Sequence, residues 1–107
     1  MTISYSDFQK MDIKIAKIKS AERVPNTDKL IKMEIDIGDE TRQIVAGIGE
    51  VYETDDLVDK QIPVLVNLEP RKIKGIESNG MLLAVVVDGK PILLEPDKEV
   101  PNGSKIM

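Results

Sequence analysis

The chain has 107 residues, 41% of them hydrophobic, enough to bury one core and too little chain for two domains of ordinary size. With no Cys and no His it has no disulfide framework, cysteine nucleophile, histidine base, zinc-finger set or haem axial histidine. Its 15 Lys and Arg against 19 Asp and Glu give a net charge of −4, and Tyr5, Phe8 and Tyr52 are the only aromatic side chains, so taken globally the composition argues against a nucleic-acid partner.

Met1 to Asp7 shows neither a basic flank with an apolar run nor a small-residue cleavage site, so the expected location is the cytosol. Ser6-Asp7-Phe8-Gln9-Lys10-Met11 offers a polar cap and one helical turn with Phe8 and Met11 on one side. From Asp12, Ile13, Ile15 and Ile18 are interleaved with Lys14, Lys17 and Lys19, which predicts a long strand with a slip around Ala16 that suits a bulge. Pro25, Asn26 and Asp28 then punctuate a loop. Leu30, Ile31, Met33, Ile35 and Ile37 resume period two until Gly38-Asp39, and Arg42 to Ala46 is a third strand ended by Gly47-Ile48-Gly49.

In the acidic stretch Glu50 to Lys60, Thr54 is placed to cap a short helix through Leu57 and Val58. Gln61 to Val66 reads as a strand, with Pro63 near an edge or a strand start. Asn67 to Gly75 is a basic loop and short strand, and Glu77-Ser78-Asn79-Gly80 turns the chain into Met81 to Val87. That unbroken apolar run predicts a strand buried on both faces, and it is far short of the ~20 residues of a membrane-spanning helix. Asp88-Gly89 makes a hairpin into Ile92 to Leu94, and a tail with Pro96, Pro101 and Gly103 follows. Together these elements predict a single all-β domain over residues 1–107, a five-stranded Greek-key barrel with short helices and a C-terminal extension at about 95–107.

Counted by region, the charge points the other way from its total. Between Lys14 and Met33 six cations face only Glu22 and Asp28, a local +4, while Glu50 to Lys60 carries five acids and one lysine, a local −4. Arg71, Lys72 and Lys74 add three cations in four positions, entered by stiff Pro70, followed by Gly75, with Asn67 as a neutral donor and acceptor nearby. A barrel that brings these segments to one face makes an electrostatic footprint for phosphate. Surface lysines also keep strand edges soluble, so charge alone leaves both readings open.

Several stretches carry a resemblance. They are Asp12-Ile13-Lys14-Ile15 with Ile18, Pro25-Asn26-Thr27-Asp28-Lys29-Leu30, and Arg42-Gln43-Ile44-Val45-Ala46-Gly47-Ile48. Stronger still are Asn67-Leu68-Glu69-Pro70-Arg71-Lys72-Ile73-Lys74-Gly75, Ser78-Asn79-Gly80-Met81-Leu82-Leu83-Ala84, and the tail from Leu94 to Gly103. In these the sequence resembles the tRNA-binding domain appended to methionyl-tRNA synthetases or encoded as a free β subunit. Related domains occur in bacterial phenylalanyl-tRNA synthetase and in the endothelial monocyte-activating polypeptide group. The resemblance implies an OB-fold and a non-catalytic role, holding tRNA for a methionyl-tRNA synthetase catalytic chain or another synthetase. It also implies a homodimer formed through regions outside the barrel, with no catalytic residue, cofactor, metal or membrane. By motif it places RNA contacts at Lys29, Arg42, Asn67, Arg71, Lys72, Lys74, Ser78 and Met81. Glu69 stands where relatives often carry a cation, which weakens the positive field there.

No aromatic residue lies in the basic segments, so binding is expected to rest on phosphate and 2′-hydroxyl contacts to a folded RNA shape, with little base reading. Met81 also fits a core strand start, and Ser78 also suits a turn. Asp55, Asp56 and Asp59 lack the Gly and terminal Glu of a calcium loop and read as a solvated helix end. Two further readings use the same fold: a secretion-associated chaperone-like dimer that binds extended peptides, and an assembly subunit whose tail docks a partner.

Overall fold

The alternation that starts after Asp12 becomes β1 (Ile13–Arg23), the strand around which the rest is laid. The computed structural model describes all 107 residues. Helix α1 (Tyr5–Gln9) precedes β1; β2 (Ile31–Asp36), β3 (Thr41–Ala46), α2 (Thr54–Leu57) and β4 (Gln61–Leu65) follow it. Then come β5 (Arg71–Ile73), β6 (Ile76–Ser78), β7 (Met81–Leu82), β8 (Ala84–Val87), β9 (Lys90–Leu93) and β10 (Lys105–Ile106). Strand makes up 43% of the chain and helix 8%, in keeping with the all-β class expected.

The main sheet is antiparallel in the order β3-β2-β1-β4-β7, with β10 also paired to β1. It curls until β3 meets the turn after β6. The Asn79 amide donates to the Gln43 carbonyl (2.8 Å). Gln43 Nε2 donates to the Glu77 carbonyl (2.9 Å), and the Val45 amide donates to Ser78 Oγ (3.0 Å). The result is a partly open barrel filled by one apolar cluster that includes Ile18, Ile31, Met33, Ile35, Ile44, Ile62 and Val64. Each such side chain contributes ~1.5–3 kcal/mol by leaving water. Helix α2 exists to deliver Leu57, fully buried, into that cluster.

Pro63 sits inside β4 opposite Ile15. Ile15 gives both of its backbone groups to the tail, accepting from Gly103 N (2.7 Å) and donating to the Ser104 carbonyl (2.8 Å). The pair is therefore not hydrogen bonded, and the Pro63 nitrogen faces the flank that β7 covers only in part, in line with an edge position. The tail from Glu95 is a strap across β1 and β4. Gln61, buried in β4, donates through Nε2 to the Val100 carbonyl (2.6 Å) and to Asn102 Oδ1 (2.9 Å), and its Oε1 accepts from Val100 N (3.2 Å).

Four expectations need correction. Helix α1 is capped one turn-start earlier, by the Ser4 side chain accepting from Asp7 N, and α2 is entered from Glu53, with Thr54 its first helical residue. Ile15 and Ala16 are both buried, yet the register shift in β1 falls between Ile18 and Ser20, where the strand passes from β4 to β2. Most consequential is Met81 to Val87. The chain leaves the sheet after Leu82, and β8 pairs only with β9, so Val85, Val86 and Val87 are 45%, 70% and 51% exposed. A two-stranded ribbon has no second layer to bury both faces. Met81, where a core start was an alternative, is itself 37% exposed.

Ser78 explains why a serine closes the barrel. It is 1% exposed, and its hydroxyl accepts from Val45 N while donating to the Gly80 carbonyl (3.2 Å). Ser78→Ala leaves both partners unsatisfied in the interior, at a cost of about 1–3 kcal/mol. A lower urea midpoint with an unchanged m-value is the expected result.

Candidate nucleic-acid interface

Of the fifteen Lys and Arg side chains, eight lie in ion pairs: Lys10, Lys14, Lys17, Arg23, Lys32, Arg42, Lys60 and Lys105. The N-terminal lysine stripe is thus largely neutralised, Lys17 by Glu99 (3.8 Å) and Lys32 by Glu22 (2.6 Å). The other seven have no carboxylate partner: Lys19, Lys29, Arg71, Lys72, Lys74, Lys90 and Lys98.

The fold brings Lys29 and Lys74 into one groove, with Arg71 and Lys72 on the hairpin that carries Lys74. The Val24–Leu30 loop and the β5–β6 turn form the walls of a groove of about 640 Å³ lined by Asn26, Thr27, Asp28, Lys29, Leu30, Glu50, Ile73 and Lys74. Lys29 is held from its backbone. The loop neck closes through Val24 N donating to the Leu30 carbonyl (3.0 Å), and Gly49 N donates to the Lys29 carbonyl (2.7 Å). Gly49 must be glycine for this approach, because a Cβ there would lie 2.9 Å from the Lys29 oxygen and 2.8 Å from the Arg23 guanidinium. The aliphatic stem of Lys29 runs over Gly47, whose Cβ position is 3.5 Å from Lys29 Cδ and Cε. A fixed backbone under a free ammonium suits a ligand contact: little ordering remains to be done on binding.

On the other wall, strand alternation puts Arg71 and Ile73 on one face of the β5–β6 ribbon and Lys72 on the opposite face. Lys74 and Gly75 form the two-residue turn with φ of 52° and 79°, a type I′ turn. Asn or Gly is the usual residue at the first of these positions, and a lysine there carries about 1–2 kcal/mol of backbone strain. Lys74→Asn is expected to raise stability by part of that amount while lowering nucleic-acid affinity. Denaturant melts and a binding titration on the same sample check both signs.

Three of the sequence-predicted positions are occupied inside the molecule. Arg42 pairs through Nε with Glu40 (2.7 Å) and donates through Nη1 to the Val66 carbonyl. Asn67 accepts from Asp12 N (2.9 Å) and donates to the Lys10 carbonyl (2.7 Å), pinning the start of β1. Ser78 is the buried barrel closure. Met81 is exposed on β7, opposite Leu65. The groove residues that sequence reasoning missed are Asn26, Thr27, Asp28, Leu30, Glu50 and Ile73, although all but Glu50 stand in stretches that carry the resemblance.

Comparison with known proteins agrees with this geometry. The family described as "Putative tRNA binding domain" matches residues 13–105. The chain is 53% identical over 104 residues to a methionine–tRNA ligase of Archaeoglobus fulgidus, and 50% identical over the same length to that of Thermotoga maritima. In each case 97% of this chain and 16% of the relative is covered, so the chain spans about a sixth of those proteins. Among solved structures, a MetRS-related protein from Pyrococcus horikoshii superposes with a TM-score of 0.94 at 36% identity, covering 100% of this chain and 99% of that one. The chaperone CsaA from Bacillus anthracis superposes at 0.92 with 34% identity, covering 100% of both chains. With the barrel, the groove and the matched span in agreement, the chain belongs to the tRNA-binding-domain family, built on an OB-like fold.

Proposed function

We propose that the chain is a non-catalytic module that holds folded tRNA by phosphate and shape contacts, with little sequence preference, and presents it to a synthetase, methionyl-tRNA synthetase above all. The observation that carries this reading is a groove whose two walls present Lys29 and Lys74 without carboxylate partners, with the equally unpaired Arg71 and Lys72 on the same β5–β6 hairpin. Lys29 and the β5 hairpin are the contacts. Asn67, Arg42 and Ser78 act by holding those segments in place, and Met81 lies beyond them on an exposed strand end. No helix is long and apolar enough to cross a membrane, and the proposed site of action is the cytoplasm. A titration with total tRNA beside an unfolded polypeptide tests the reading: tight, salt-sensitive binding of tRNA supports it, and preference for the polypeptide favours the chaperone alternative, which the likeness to CsaA keeps in play.

We also infer that the module works as a homodimer over residues 1–107 acting as one domain. Ile13, Ile15, Leu83, Leu94, Val100 and Ile106 line an apolar groove beside the strap, and Ile106 continues it toward Tyr5, Phe8 and Met11. Both N-terminal turn and tail thus border one apolar face. A second copy doubles the phosphate contacts one small barrel can offer. Sedimentation is expected to give twice the 11.9 kDa chain mass, and Leu94→Lys, at a side chain already 42% exposed, is expected to return it to the single-chain value.

A further inference from the structure

Lys29 and Lys74 share their groove with two carboxylates, Asp28 and Glu50. Neither carboxylate pairs with a cation, although two lysines stand in the same space and ion pairs occupy eight cations elsewhere. Neither accepts a hydrogen bond from any other group of the chain, so both are exposed acceptors with nothing to accept. Their backbone is set by the bond that holds Lys29, since Asp28 precedes Lys29 and Glu50 follows Gly49. Two negative charges beside a polyanion are repulsive, at a separation where screening is incomplete. They are tolerable in such a site when the ligand alternates anions with hydrogen-bond donors. RNA does this along its backbone: every nucleotide brings one phosphate and one 2′-hydroxyl, whereas a sugar-phosphate backbone without that hydroxyl brings acceptors alone.

We propose that the groove reads ribose as well as phosphate, Lys29 and Lys74 taking phosphate oxygens while Asp28 and Glu50 accept hydrogen bonds from 2′-hydroxyl groups. The proposal rests on the RNA-binding reading above and adds a specificity to it. Leu30 and Ile73 supply the apolar lining between the charged groups, against which the sugar carbons pack. Simple electrostatics makes the opposite forecast for the two acids, since removing negative charge strengthens the binding of any polyanion.

The experiment uses the full chain, a tRNA transcript, and the same transcript made with 2′-fluoro nucleotides, which keep the A-form helix and the base edges but carry no hydroxyl donor. The unaltered chain is expected to bind the 2′-hydroxyl transcript about tenfold more tightly, the scale of a hydrogen bond to a charged acceptor. The double variant Asp28→Ala with Glu50→Ala is expected to bind both transcripts equally, and the fluoro transcript at least as tightly as the unaltered chain does. The change that the double variant makes to the ratio of the two affinities is free of any difference in how the two transcripts fold, since that difference is common to both chains. Equal binding of both transcripts by the unaltered chain overturns the proposal, as does a double variant that keeps the tenfold preference. Lys29→Ala with Lys74→Ala is expected to weaken both transcripts alike. If it weakens neither, the RNA-binding reading of the groove is what has failed.

Discussion

Arg71→Ala with Lys72→Ala lowers tRNA affinity about thirtyfold. Both side chains are exposed and without partners in the chain, so each contact is worth about 1 kcal/mol, near the top of the range for solvent-screened charge pairs. The fold is expected to stand, because neither side chain makes a hydrogen bond or ion pair within the molecule and the hairpin turn is set by Lys74-Gly75. The two residues point to opposite faces of the β5–β6 ribbon, whose second strand docks on β3. A ligand that touches both must wrap the hairpin, which a folded RNA with a concave surface does and a short flexible strand does poorly. The expected loss for a short unstructured RNA is therefore only a few-fold. Filter-binding titrations of both ligands check it, and equal losses count against recognition of shape.

Gly103→Ala has the largest expected effect on stability. Gly103 has a φ of 89°, and a Cβ there meets the Ile37 carbonyl oxygen well inside van der Waals contact, with Gly38 Cα at 3.3 Å behind it. Nothing flexible can give way, since both obstacles are backbone. The conformational strain costs about 1–3 kcal/mol. Relief of the clash requires lifting the strap and losing the two hydrogen bonds by which Ile15 holds it. A loss of about 3 kcal/mol or more is expected, roughly 12 to 24 °C in Tm for a chain of this size, measured by calorimetry. The strap contributes no residue to the lining of the cationic groove, so affinity per folded molecule is expected to change little.

The barrel was legible because its signals are local and periodic. The strands from Ile13 and Ile31 alternate over much of their length as a half-buried sheet must, those from Thr41 and Gln61 are bounded by turn residues or a charged stretch, and Asp88-Gly89 announces its turn. Met81 to Val87 misled for a physical reason: an apolar run says that a surface avoids water, not which molecule covers it. In β7 the cover is β4, while in β8 the isolated chain supplies none. The site was legible to the extent that charge is. Regional counting found Lys29, Arg71, Lys72 and Lys74, yet it could not separate them from Lys17 or Lys32, whose carboxylate partners Glu99 and Glu22 are set by the fold. The resemblance brought in Arg42, Asn67 and Ser78, whose side chains the fold engages in hydrogen bonds within the chain. Asp28 and Glu50 reach one groove from loops 22 positions apart in the sequence, and no pattern in the chain brings them together.

The central claim is that cations left unpaired by the fold hold RNA phosphates. The slope of log affinity against log salt for tRNA measures it most directly, each phosphate contact contributing about 0.7 to 0.9. For the unaltered chain a steep slope is predicted. For Lys29→Ala, Arg71→Ala, Lys72→Ala and Lys74→Ala combined, the slope is predicted to fall by about 3, with the melting behaviour of the protein retained. A slope unchanged in that variant would mean that the phosphates are held elsewhere, and it would contradict the account.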